Sequence, residues 1–461
     1  MACEKKGVSN FAVKVGLVLL AGCILVPISL ATLFRNYAVP LQTLSLLFSV
    51  GSASSVMWGE ERIGSHRSGR NERPVHCDFS SSRSDVCELR GDVRVLPNAT
   101  ILLHHPMAMR HSWRMKPHAR KSDRHALARV TEVTVASSRA AGHAAPRCTA
   151  NHTAPAVVFS VGGYAGNMFH DLTDVLVPLF VTARRFAGDV HLLVTDAQPW
   201  WLHKFRPLLR GLSRHDVVDM DRAGGKGGVV LCYPRVVLGL EFHKEMSVDA
   251  ARTAGGYSMA DFARLARRSY GLTRDTAIRL HGRHDGDGGR RRPRLLLISR
   301  RSTRAFTNAD AVARAAAALG YEVVVGEPAR HAELPAFARV VNSCDVLVGV
   351  HGAGLANLVF LPAGAVVVQV VPLGGLDAMA AEDFGAPARD AGLRYVHYAI
   401  AVEESTLARR YPRDHRVLRD PAAVRREGWA ALREAYLVGQ NVTLDVRRFG
   451  GALRRAMELL R

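Results

Sequence analysis

Three short segments of this chain combine residue types that can do chemistry with the places where a fold would use them. The first is Leu295-Leu-Leu-Ile-Ser299-Arg300-Arg301-Ser-Thr-Arg304-Ala-Phe-Thr-Asn308. It reads as an apolar strand followed at once by Arg300, Arg301 and Arg304. Guanidinium groups at a strand's carboxyl end can grip a diphosphate through paired, charge-assisted hydrogen bonds. The second is Asp345-Val-Leu-Val-Gly-Val-His351-Gly352-Ala353-Gly354-Leu-Ala-Asn357. Here a strand runs through a glycine turn into a helix start, whose free N–H groups and partial positive charge suit an anion. The third is Gly162-Gly-Tyr-Ala-Gly166-Asn-Met-Phe-His170-Asp171-Leu-Thr-Asp174. Its apolar positions fall on one helical face, which places His170, Asp171 and Asp174 together on the other. A carboxylate or imidazole there can take a proton from a hydroxyl. Asp174 is the first choice as base, since a carboxylate four residues from His170 can also orient the imidazole.

Alternating strands and helices must position these segments. Strands are expected at Gly91–Val95, Val130–Val135, Ala156–Val161, Val190–Val194, Val229–Cys232, Leu295–Ile298, Val323–Val325, Val346–Val350 and Val366–Val371. Helices are expected at Asn167–Phe186, Asn308–Leu319 with Asn308 as cap, Glu333–Ser343, Gly354–Phe360 and Val446–Leu460. Such alternation argues for α/β architecture with parallel strands buried on both faces. The glycine- and arginine-rich stretch 282–293 reads as a linker between two blocks, so two Rossmann-like domains facing a cleft are expected. Two Asp-x-Asp triplets, Asp219/Asp221 and Asp285/Asp287, lie outside convincing strand ends and are not assigned a metal.

The 461 residues carry 62 Lys and Arg against 41 Asp and Glu, a net charge of +21. That excess favours anionic partners. No zinc-finger spacing or stacking-aromatic motif accompanies it, so no nucleic-acid partner is expected. Val15–Phe34 is an uncharged run of 20 residues, preceded by Lys5, Lys6 and Lys14. It is long enough to span a bilayer, and the lysines put the N-terminus in the cytosol. A cleaved signal peptide is the rival, but its apolar region is normally shorter. Asn98, Asn151 and Asn441 each head an Asn-x-Thr sequon, in keeping with a lumenal body. Five cysteines follow the apolar run, so at least one stays unpaired. The expected division is 1–14 cytosolic tail, 15–34 transmembrane anchor, 35–76 stem, 77–285 acceptor-side domain and 286–461 donor-side domain.

The segments Gly162–Pro178, Leu297–Asn308 and Val348–Pro362 together resemble glycosyltransferase family 61, in particular its plant branch. Cys77-Asp78, Ser84–Glu88 and Asn441–Phe449 also look like that branch. The resemblance implies a GT-B fold on a single-pass type II Golgi membrane protein. It implies a UDP-sugar donor, a polysaccharide or glycoprotein acceptor, inversion at the anomeric carbon, and no essential metal or other cofactor. A pentose, arabinofuranose or xylose, moved onto xylan is the favoured reaction. By the same resemblance Ser299, Arg300 and Arg304 hold the diphosphate. His351, Gly352, Ala353 and Gly354 form the donor loop. His170, Asp171 and Asp174 border the reacting centre. Transfer of xylose to an N-glycan core, an inactive glycan-binding subunit of a synthase complex and a basic polysaccharide tether are the competing readings, and partners in a synthase complex are left open.

Overall fold

The computed structural model describes residues 73–104, 112–137, 146–222, 228–280, 292–327 and 333–461. The 15–34 span, most of the 35–76 stem, the 282–293 stretch and the Asp285/Asp287 triplet lie essentially outside them. Among the described residues no helix is long and apolar enough to cross a membrane.

Ten strands form the first sheet: β1 Val75–Asp78, β2 Val86–Leu96, β3 Thr100–His104, β4 Ser112–Met115, β5 Val133–Ser137, β6 Ala150–Asn151, β7 Ala156–Ser160, β8 His191–Thr195, β9 Val218–Asp219 and β10 Leu231–Leu238. The main order is β4-β5-β3-β2-β10-β7-β8-β9, with β1 on β2 and β6 on β10. β10, β7, β8 and β9 run parallel. β1, β2, β3 and β10 pair through antiparallel ladders. The sheet is therefore mixed, and the expected strand–helix alternation describes only its β7–β10 part. β2 shows why: its burial alternates along the strand, the mark of an antiparallel ribbon with one wet face. The β2–β10 register shifts between Tyr233 and Arg235. Pro234, which has no N–H for the ladder, sits at that bulge. Disulfide Cys77–Cys87 ties β1 to β2, Cys148–Cys232 ties the segment before β6 to β10, and Cys344 is free and buried.

The second sheet is wholly parallel: β11 Arg294–Ile298, β12 Glu322–Gly326, β13 Val346–Val350, β14 Val366–Val371 and β15 Arg394–Ala399, in the order β12-β11-β13-β14-β15. β13 and β14 are runs of Val and Leu, buried at every position, as a sheet covered on both faces requires. The order reverses between β11 and β13, and a crevice opens outside strand ends at such a switch point. A single apolar core joins residues of both sheets, from Val157 and Phe159 to Leu296, Leu355 and Phe384.

Three described helices widen into π-turns, and in two of them the cause is a nearby proline. In the run from Met168 to Arg184, residues Asp171–Leu176 are π-helical, and the Val177 N–H reaches back five residues to Leu172. Pro178 follows; it has no N–H for the Asp174 carbonyl, and its ring crowds that carbonyl. Ala381–Gly385 repeats the device. The Ala386 N–H reaches Ala381, and Pro387 stands four residues after Asp383. A third π-turn spans Arg433–Val438. The helix expected from Gly354 is a 3-10 helix, Ala353–Phe360. Asn308 does not cap the helix Ala309–Ala318 with its side chain. Instead its amide exchanges hydrogen bonds with the Leu444 backbone, which ties that helix start to the C-terminal segment.

Candidate active site

The loops after β11 and β13 meet at the switch point. Arg304 adopts a left-handed backbone, φ 53°, a strain that tertiary contacts must hold in place. Its N–H donates to the Gln440 carbonyl, and its Nη1 donates to the His351 carbonyl at 2.7 Å. Gly352 has φ 147°, and a Cβ there would lie 2.5 Å from Nη1 of Arg300 and 2.9 Å from Nη1 of Arg304. Only a glycine lets both guanidinium groups lie against the loop backbone. Burial lowers the pKa of both arginines; Arg300 and Arg433 lower Arg304 further, to about 10. Among the described residues none of Arg300, Arg304 and Arg433 pairs with a carboxylate. Arg304 Nε is buried without a hydrogen-bond partner. Three crowded cations without a counter-ion form a site waiting for an anion. Arg301 stands apart, exposed and paired with Glu327. Ser299 closes β11 with its N–H on the Gly326 carbonyl, and Ala353 and Gly354 open the 3-10 helix.

His351 is 4% exposed. Burial, then Arg304 and Arg300, depress its pKa to about 3, so the imidazole is neutral. The Tyr395 hydroxyl donates to the Gln369 amide oxygen at 2.9 Å, and the Gln369 amide donates to His351 Nδ1 at 2.8 Å. Gln369, a polar residue in a fully buried strand, thereby fixes the tautomer with the proton on Nε2.

On the first sheet, the loop after β7 leads into Met168–His170, which packs on the 3-10 helix Ala353–Phe360. Phe169 packs tilted on Phe384 at 5.4 Å between centroids, and His351 meets Phe384 edge-on at 5.5 Å. This brings His170 to the loop after β13. The structure joins His170 to Asp174: Nδ1 is 2.9 Å from Oδ2. Arg120, a residue with no local sequence signature, donates to the same oxygen at 2.8 Å. Arg83 stands 3.7 Å from Oδ1 and binds Glu245 at 2.6 Å. Asp174 is 1% exposed. Burial alone would raise its pKa, but the hydrogen bonds from His170 and Arg120 hold it below the ordinary value. A buried, charge-locked carboxylate is badly placed to meet an acceptor hydroxyl. It is well placed to orient His170 and leave Nε2 free to take a proton. That reverses the order expected from spacing.

Asp171 does not join them, contrary to the shared face expected from its spacing. Neighbouring helix residues are turned by about 100°, and Asp171 faces the core. Its oxygens accept from the Gly166 N–H at 2.9 Å, Trp201 Nε1 at 2.8 Å and Lys204 Nζ at 3.0 Å. It anchors the glycine loop. Removing one partner of a buried ion pair costs about 3–5 kcal/mol. Lys204→Met is expected to lose that much in urea unfolding while leaving nucleotide affinity unchanged; a loss below about 1 kcal/mol would refute the anchoring role.

The site also includes Asp383, a residue without a strand-end signature. Burial, Glu245 and Glu382 raise its pKa to about 7 against the opposing pull of Arg120 and Arg83. Asp219 and Asp221 cap local turns through backbone N–H groups of residues 221, 222 and 197. Asn98 and Asn151 are exposed. Asn441 is half-buried, and its side-chain oxygen accepts from the Ala305 N–H.

A family model described as Glycosyltransferase 61 matches residues 168–368. The rice protein "Alpha-1,3-arabinosyltransferase XAT3" is 42% identical over 92% of this chain and 72% of its own length. The rice "Beta-1,2-xylosyltransferase XYXT1" is 42% identical over 85% of each chain. "Xylan glycosyltransferase MUCI21" of Arabidopsis thaliana is 32% identical over 85% of this chain and 80% of its own.

Proposed function

The chain belongs to glycosyltransferase family 61, and from that premise we propose that it transfers a pentose from a UDP-sugar to xylan with inversion, as a GT-B enzyme of the Golgi lumen. The observation that carries the donor half is the trio Arg300, Arg304 and Arg433, crowded at the switch point without a carboxylate partner among the described residues. The diphosphate lies against them and against the loop His351–Gly354. The acceptor hydroxyl approaches from the β7 side, where His170 Nε2 takes its proton. Its oxygen attacks the anomeric carbon as the bond to the diphosphate breaks. Negative charge grows on the leaving group, so the arginines stabilise the transition state more than the ground state. Relatives of equal identity are named for arabinose and for xylose; hence the pentose, rather than one sugar, is the claim.

A panel of UDP-xylose, UDP-arabinofuranose and UDP-N-acetylglucosamine against xylan oligomers and N-glycans tests this. Transfer of a pentose to xylan is expected, at an undiminished rate in EDTA, because guanidinium groups supply the charge that a metal would. Preference for N-acetylglucosamine, or activity lost in EDTA and restored by manganese, would overturn the reading. The lumenal placement rests on the 15–34 run, its upstream lysines and the exposed sequons at Asn98 and Asn151. Glycosidase treatment of protein made in plant cells is expected to increase its gel mobility. An unchanged band would argue against it.

A further inference from the structure

Asp383 is a carboxylate that the reaction as described does not use. Its side chain is 20% exposed, and the neutral His351 stands beside it, with Nε2 3.9 Å from Oδ2. Among the described residues it accepts no hydrogen bond. A half-closed carboxylate without donors is costly unless something supplies them. Its position says what. On one side, His351 and Gly352 lead to Arg300 and Arg304. On the other, Arg120 and Arg83 act on Asp383 electrostatically and lead to Asp174 and His170. Phe384, the next residue, touches both Phe169 and His351. Asp383 thus stands between the diphosphate site and the base, where the sugar must lie. The chain Tyr395–Gln369–His351 aims an N–H into the same space.

We propose that Asp383 accepts a hydrogen bond from a ring hydroxyl of the donor's pentosyl group, with His351 Nε2–H as its companion donor. This assignment rests on the UDP-pentose reading above and deepens it. UDP lacks the pentosyl ring hydroxyls; UDP-pentose carries them. The two ligands therefore separate a sugar contact from a phosphate contact or a structural one.

The test measures Kd for UDP and for the preferred UDP-pentose with the full-length chain, wild type against Asp383→Asn and Asp383→Ala. UDP affinity is expected to stay within about twofold. UDP-pentose affinity is expected to fall about ten- to a hundredfold, the range for a hydrogen bond to a charged group. A pH series adds a second readout. The groups facing Asp383 are His351, Glu245, Glu382, Arg120 and Arg83. As pH rises through about 7 and Asp383 ionises, the affinity of wild type for UDP-pentose, whose diphosphate does not titrate in that range, should rise more than that of Asp383→Asn. Equal weakening of both ligands, or no weakening of either, overturns the assignment. A wild-type chain that fails to bind UDP at all would overturn the donor reading itself, and this inference with it.

Discussion

His170→Ala is expected to lower the rate of pentose transfer by about 10²–10⁴ and to leave UDP affinity within about twofold of wild type. The reason is the division of labour between His170 and Asp174. Asp174 is buried and ionised, and its Oδ2 is occupied by His170 Nδ1 and Arg120 Nε. It fixes the imidazole so that Nε2 carries the lone pair. Asp174→Asn should lower transfer as well, since an amide can hold the ring in the wrong tautomer. It should also lower stability, because Arg120 loses its carboxylate. The two variants therefore differ: His170→Ala is slow yet stable, whereas Asp174→Asn is slow and easier to unfold. Quantified transfer with saturating donor, together with thermal unfolding, makes the comparison. Near-full activity in His170→Ala would place the base elsewhere.

Replacing Arg300 and Arg304 with alanine is expected to weaken UDP binding about ten- to a hundredfold for each residue, from about 1.5–3 kcal/mol per charge-assisted contact. Stability should move the other way. Burial opposes the charge of both guanidinium groups, and Arg304 is also crowded by Arg300 and Arg433. Removing one relieves repulsion in the ligand-free protein, so its thermal midpoint should hold or rise. A ligand-binding residue whose removal stabilises the empty protein separates function from scaffolding, and a calorimeter reads both quantities. UDP affinity unchanged in both variants would remove the arginines from the site.

The second sheet was legible because its strands are buried on both faces. Val346–Val350 and Val366–Val371 are continuous apolar runs, and the arginines and glycines that follow β11 and β13 are written in the same short windows. The antiparallel part of the first sheet was harder, since a strand such as β2, with one wet face, carries no continuous apolar run to mark its full length. The site's other side was hidden by distance. Arg83, Arg120 and Glu245 are single charges in segments without a strand–helix rhythm, and only the folded chain brings them to Asp174. Asp171 was misplaced because adjacency in sequence is not adjacency on a helix. Asp383 had a readable signal in the proline four residues beyond it, the same spacing that separates Asp174 from Pro178.

That spacing has a consequence for how this enzyme can change over generations. Each π-turn accommodates one residue more than an α-helical turn would. Because the wide turn absorbs that residue, the helix on either side keeps its phase, whereas one residue lost from a regular α-helix would turn everything beyond it by about 100°. A frame-preserving deletion within 171–176 or 381–385 should therefore leave the flanking faces in register and their core contacts in place. These two turns are where descendants of this chain could differ in length by one residue without taking the helix faces around the site apart.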